Sequence, residues 1–302
     1  MDKLKIVLDW TANTNHTGFY VAQERGFYHG HGIDLEINTP EADDYSKTPA
    51  KKVELGEADL ALCPFESVLS YNTKKERFDA VAIATIFRED ISAITVLQES
   101  KINTPKDLDG KVYASYKARY EDEIVKQMIR NDGGMGDIKI EYPKRLGIWD
   151  TLINGSLDAT WIFTNWEGVH AKTKGIKLRN FKMGDYGIPY GYSPVILASR
   201  SRIDSNKKCY KDFLSATKQG FLYAIEHPQY AADCIKPHIA KSDADIDLLE
   251  SQKLSNKFYG NENNWGIMEP EKVDLFLNWL YDSNLETAGL LYEDLVFSNL
   301  LQ

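Results

Sequence analysis

The chain has 302 residues, 43% hydrophobic and 27% charged, enough for one large domain or for two lobes with cores of their own. Its formal net charge of −9, with no Lys/Arg block longer than two, argues against nucleic acid as the main partner, because phosphates need a basic stripe. No window approaches the ~18 apolar residues of a membrane span, and the cysteines Cys63, Cys209 and Cys234 lack the spacing of a zinc site or a disulfide framework.

From the N-terminus, KIVLDW reads as a strand, TGFYVAQERGFY as a helix, DLEINT as a strand, TPAKKVELGEA as a helix and DLALCPF as a strand. Short Val/Ile/Leu-rich runs alternating with helical stretches mark βαβ units on a largely parallel sheet. The order restarts at Lys111 with KVYASY, the helix EDEIVKQMIRNDGG, IKIEYP, a helix around WDTLING and DATWIF. VELGEADLAL (53–62) and LINGSLDATWI (152–162) share one shape: helix end, Gly, two residues, Asp, then strand. The chain therefore reads as two lobes of similar build.

From about Ser201 the pattern turns helical, with apolar residues recurring at three and four, as in Phe213, Leu214, Thr217, Phe221 and Ala224. No Pro-, Gly- or Ser-rich linker separates the lobes, so ISAITVL (91–97) and SPVILAS (193–199) are expected to be the two crossover hinge strands. The expectation is an α/β, two-lobe fold with residues 1–92 and 196–302 in lobe I and 93–195 in lobe II. Such a protein closes on a ligand held at the carboxyl ends of its strands. LDWTANTNHT (8–17) then begins the loop after the first strand, with its indole and polar groups facing the cleft; a surface turn capped by Asn and Thr is the simpler alternative.

LDWTANTNHTGFYVAQERGFYHGHGIDLEI resembles the N-terminal region of the pyrimidine-precursor binding proteins of bacterial thiamin salvage. It is equally similar to that of the fungal-type synthases that make the hydroxymethylpyrimidine phosphate half of thiamin. NWEGVHAKTKGI (165–176) resembles a further motif of this group, and TPKDLDGKVYASY a second-lobe opening common to many binding proteins. The resemblance runs to about residue 230 and implies the type II periplasmic-binding-protein fold. The synthases carry a lysine that holds pyridoxal phosphate and, four residues on, a histidine consumed as substrate. The matching positions here are Cys63 and Ser67, and neither supplies the amine that a Schiff base needs. Their cysteine-rich run matches GIPYGYSPV, which has no cysteine, and their glycine-rich phosphate loop matches SYKARYED, which lacks glycine but offers Lys117 and Arg119.

The resemblance thus implies a solute-binding protein without catalytic residues or cofactor, served by an ABC permease. Its ligand would be a thiamin-related aminopyrimidine, in the formylated aminomethyl or the hydroxymethyl form. An enzyme of the synthase superfamily with altered chemistry, and an intracellular carrier or sensor, are the alternatives. MDKLKIVLDW enters a strand without a charged-then-apolar leader, which suggests a cytoplasmic protein if the chain is complete and a periplasmic or cell-surface one if a leader was trimmed.

A flat aminopyrimidine asks for aromatic faces and a carboxylate acceptor for its amine. Trp10, Phe65, Tyr116, Tyr120, Trp166, Tyr190 and Tyr192 fall at strand-to-helix or hinge positions, although with 17 tyrosines some only pack. Glu167, beside Asn165, is the best carboxylate, followed by Glu66. Asn13, His16 and Arg119 complete the expected ligand contacts, His16 having helix capping as its alternative role. The other histidines lack metal-ligand spacing with acidic partners, and no GxSxG, HExxH, P-loop or GxGxxG occurs.

Overall fold

The computed structural model describes residues 1–143 and 149–301. Ten strands form two five-stranded mixed sheets. The first holds β1 (Asp2–Val7), β2 (Ile33–Asn38), β3 (Leu60–Cys63), β4 (Ala80–Thr85) and β10 (Val195–Ser199), in the order β2-β1-β3-β10-β4. The second holds β5 (Ser92–Leu97), β6 (Val112–Ala114), β7 (Lys139–Glu141), β8 (Ala159–Phe163) and β9 (Leu178–Phe181), in the order β7-β6-β8-β5-β9.

The two orders are the same pattern written twice. In each sheet three strands are parallel, and the fourth, β10 or β5, runs antiparallel to both of its neighbours. ISAITVL and SPVILAS are these antiparallel strands: each is the first strand after the chain crosses between sheets, through residues 86–91 and 182–194. The repeated Gly-x-x-Asp shape has a physical cause. Gly56 (φ 76°) and Gly155 (φ 74°) take the left-handed turn that leads into β3 and β8. Asp59 then accepts from the Lys5 amide at 2.8 Å, and Asp158 from the Val112 amide at 2.9 Å, so each carboxylate pins the neighbouring strand at the same place.

Burial follows position in the sheet. Strands β3 (LALC) and β10 (VILAS) are buried at every residue, as expected of strands covered on both faces. At an edge, β2 (IDLEIN) begins by alternating buried and exposed residues. The edge of β4 is covered by the C-terminal segment, whose Phe297 amide donates to the Ala82 carbonyl at 2.9 Å. Strands β4 and β9 have no counterpart in the sequence reading: AVAIAT dilutes its branched residues with alanine, and LRNF is short and half polar. Around WDTLING there is a single wide helical turn, Trp149–Ile153.

The C-terminal helices include Lys207–Glu226, which packs on helix Thr17–Glu24 through an aromatic and glycine contact. A Cβ on Gly220 would lie 2.0 Å from the Gly18 carbonyl, and one on Gly18 would lie 2.2 Å from the Phe221 ring. Phe213, Leu214, Thr217, Phe221 and Ala224 are all buried on this helix, as their spacing predicts. Among the described residues no helix is long and apolar enough to cross a membrane.

Candidate ligand-binding site

The loop after β1 leads into the space between the sheets, and most of its polar side chains turn inward. Asp9 and Trp10 keep open surface, whereas Thr11 to Thr17 are buried. The Asn13 carboxamide accepts from the Asn15 amide at 2.8 Å and donates to the Thr11 carbonyl at 3.0 Å, capping the turn Thr14–His16. His16 is fully buried. Its Nδ1 accepts from the Asn13 amide at 3.1 Å, so its proton sits on Nε2, which donates to Asp9 Oδ1 at 2.7 Å. The imidazole therefore fixes the direction of the Asp9 carboxylate.

Thr14 and Asn15 tie this loop to distant segments. Asn165, in the turn after β8, donates from Nδ2 to Asn15 Oδ1 at 2.8 Å and to Ser255 Oγ at 2.8 Å, and lies 3.2 Å from Thr14 Oγ1. Ser251, on helix Leu248–Asn256, donates to the Asn165 carbonyl at 2.6 Å and contacts Thr14 Oγ1 at 2.7 Å. This fully buried knot joins the first sheet, the second sheet and the C-terminal helices.

Two aromatic groups involve residues expected at the site. The Trp10 ring meets Tyr116 edge-on at 5.9 Å and Tyr45 at 5.6 Å. Tyr190 meets Trp161 edge-on at 5.0 Å and Phe276 at 5.7 Å. Trp10, Tyr116, Trp161 and Tyr190 are half-buried.

Carboxylates from both sheets enter the same region. Glu66 opens helix Phe65–Thr73, accepts from the Tyr190 hydroxyl, and is pushed up to about 7, chiefly by burial and further by Glu121 and Asp90. Glu167 opens helix Glu167–Thr173, accepts from the Phe163 amide at 2.9 Å, and is likewise raised to about 7 by burial, with Asp243 and Asp9 adding to the effect. Asp90, in the first crossing, is raised to about 7 by burial against two bonds from Ser92, its amide at 2.9 Å and its hydroxyl at 2.6 Å. Burial, with Glu167 and Glu121 nearby, also holds the Tyr116 hydroxyl protonated well above its ordinary range. Half-buried aromatic residues near carboxyls that titrate near neutrality suit a flat heterocycle carrying amine and ring N–H donors.

Of the expected site residues, the structure brings Trp10, Glu66, Tyr116, Glu167 and Tyr190 together, linked by the ring contacts and electrostatic effects above. Asn165 lies in the adjoining knot. Four others have different roles. Phe65 is 2% exposed in the apolar core, its amide bonded to the Tyr192 carbonyl at 3.0 Å, so its ring presents no open face. Asn13 is committed to its turn, and His16 acts behind Asp9. Arg119 donates to Glu286 Oε2 at 2.6 Å and to the Thr73 hydroxyl. Asp9 and Asp90 are further acids that the sequence does not single out: Asp9 stands alone just after β1, and Asp90 follows Glu89 in the first crossing.

Cys63 is buried at the end of β3, where burial and the nearby Asp9 push its thiol well up against a hydrogen bond with Ser67. Such a thiol is a poor nucleophile. A recess of about 790 Å³ along β1 and β2 is lined by Lys3, Tyr20, Asp34, Glu36 and His238, among others, and includes none of the expected site residues.

A family model described as NMT1/THI5 like matches residues 13–231. The formylaminopyrimidine-binding protein of Halalkalibacterium halodurans is 23% identical over 292 residues, covering 93% of this chain and 85% of that protein. The 4-amino-5-hydroxymethyl-2-methylpyrimidine phosphate synthase of Legionella pneumophila is 25% identical over 240 residues, covering 77% and 72%. Among solved structures, the periplasmic aliphatic sulphonate binding protein of Escherichia coli superposes with a TM-score of 0.69 at 14% identity, covering 99% of this chain and 92% of that one. The fold is that of the periplasmic binding proteins.

Proposed function

This chain belongs to the NMT1/THI5-like family, and we propose that it is a solute-binding protein that takes a thiamin-related aminopyrimidine between its two sheets. The observation that carries this reading is the arrangement of Glu66 and Glu167: one carboxyl from each side, both titrating near 7, Glu66 bonded to Tyr190 and Glu167 near Tyr116, which contacts Trp10. The similarity to a formylaminopyrimidine-binding protein over most of both chains supports the ligand class. In this reading the two sheets are lobes, and the expected divisions after residues 92 and 195 each fall one residue inside a strand, β5 starting at Ser92 and β10 at Val195. Trp10 and Tyr190 flank the ring while Glu66 and Glu167 accept its donors.

The chain would act without catalysis. The family also contains pyrimidine phosphate synthases, but Cys63 and Ser67 stand where the resemblance places a lysine and a histidine, and a buried thiol cannot form an imine. The fold supports delivery of the ligand to a permease. A thermal-shift panel tests the proposal. The formylaminomethyl and hydroxymethyl aminopyrimidines are expected to raise the melting temperature, whereas alkanesulfonates are not. Stabilisation by sulfonates alone would contradict it.

A further inference from the structure

Ahead of helix Leu248–Asn256 the chain lies as a strap against helix Glu167–Thr173, which follows β8 of the second sheet. The strap starts at Ile239, which bridges Ala12 in the loop after β1, and ends at Asp247, whose amide bonds Thr173 Oγ1 at 3.3 Å. Between these ends the amides of Asp243, Ala244 and Ile246 bond carbonyls of the strap itself, and Lys241, Ser242, Ala244 and Asp245 are exposed. Its side chains hold it instead. Ile246 is buried in a small apolar cluster with Trp166 and Val169. Asp243 accepts from the Trp166 indole and lies 3.7 Å from His170 Nδ1. Asp245 is gripped at both oxygens, Oδ1 accepting from His170 Nε2 at 2.7 Å and Oδ2 from the Lys174 ammonium.

The strap borders the proposed ligand space. Asp243 lies within electrostatic reach of Glu167 and of Tyr45, and Tyr45 meets the Trp10 ring at 5.6 Å. Trp166, next to Glu167, is only 3% exposed where Ile246 and Asp243 cover it. A segment that buries one apolar side chain and bonds its backbone mainly to itself opens far more readily than strands buried at every residue, such as β3 and β10. We propose that residues 239–247 are a gating strap: its release uncovers Trp166 and opens the Glu167 side of the ligand space, and Asp245 is its catch. One residue can govern the movement because Asp245 joins the strap to His170 and Lys174 at once. Its pair with Lys174 reaches water, so salt loosens the catch. The gating of a ligand rests on the aminopyrimidine reading; the catch does not.

The test compares wild type with Asp245→Asn and Asp245→Ala. Without ligand, hydrogen exchange of the strap amides and acrylamide quenching of Trp166, read as the difference from Trp166→Phe in each background, are expected to rise by about threefold or more in both variants. The same rise is expected in wild type between about 0.1 M and about 1 M sodium chloride, while the amides of β3 and β10 stay protected. In stopped-flow mixing with the hydroxymethyl and formylaminomethyl aminopyrimidines, association and dissociation should quicken together by about threefold to tenfold. Release precedes both entry and exit, so Kd should stay within about twofold of wild type. Strap exchange and Trp166 quenching that match wild type would overturn the proposal. So would a loosened strap with unchanged ligand rates, or a faster dissociation with unchanged association. Should neither variant fold, the salt comparison on wild type decides by the same signs. If no aminopyrimidine binds wild type, the functional reading falls, and the strap stands or falls on exchange and quenching alone.

Discussion

His16 and Asp9 meet at 2.7 Å, with the imidazole fully buried and the carboxylate partly open, so a ring with no exposure of its own sets the direction of an acid that borders the site. His16→Ala removes that donor and leaves the buried Asn13 amide without its acceptor. The expected cost is about 1–3 kcal/mol of stability, measured by urea unfolding, together with weaker ligand binding. Unchanged stability would show that neither bond matters.

Trp10 tests the aromatic wall. Its ring touches Tyr116 and Tyr45 and keeps open surface. Losing one stacking face is worth roughly 1–3 kcal/mol, so Trp10→Ala should weaken aminopyrimidine binding by about 5- to 150-fold. Binding within twofold of wild type would remove Trp10 from the site. A comparable loss in Tyr190→Ala alone would move the stacking face to the second crossing.

The pH dependence follows from Glu66, Asp90 and Glu167, each raised to about 7 mainly by burial. Between the ordinary carboxyl range and about 7 the folded chain holds protons that the unfolded chain has released. Stability from these groups is therefore fully present at acidic pH, is lost as pH rises through about 7, and is level above that. Asp245, held at about 2 by Lys174 and His170, has the opposite sign, but it acts only in strong acid. The melting temperature of the ligand-free protein should fall between about pH 5 and pH 7.5, and Glu66→Gln should flatten that fall. Ligand donors that pair with the ionised carboxylates make the ligand-induced shift larger at the alkaline end. A melting temperature that rises across this window would contradict the assignment.

Gly220 fixes the base on which the first loop stands. A Cβ there would lie 2.0 Å from the Gly18 carbonyl and 2.8 Å from the Ala22 Cβ, and neither the backbone nor the short side chain can turn aside. Gly220→Ala should force the two helices apart at a cost of about 1–3 kcal/mol or more. Differential scanning calorimetry would show this as a lower melting temperature. An unchanged transition would mean that the helices separate freely.

The sheets were legible where apolar runs were long and covered, as in IVLD, LALC and VILAS, and the shared Gly-x-x-Asp shape marked equivalent strands because one backbone bond was being made twice. Strands β4 and β9 were not, since alanine-rich and charged residues acquire their strand character only from neighbours distant in the chain. At the site, Glu66, Glu167 and Trp10 stood out as polar or aromatic residues directly after strands. The inward turn of Thr14 and Asn15 did not, because their partners Ser251, Ser255 and Asn165 lie at least 150 residues away. A polar loop reads the same in sequence whether it serves a ligand or a buried knot.

The central claim, that the cleft binds a thiamin-related aminopyrimidine without transforming it, is tested most directly by titrating the formylaminomethyl and hydroxymethyl compounds into the wild-type protein in a calorimeter and recovering the ligand afterwards. The expected result is one site per chain with a Kd of about 1 µM or tighter for at least one compound, and ligand recovered unchanged. No binding heat with either compound, or recovery of a chemically altered pyrimidine, would contradict it.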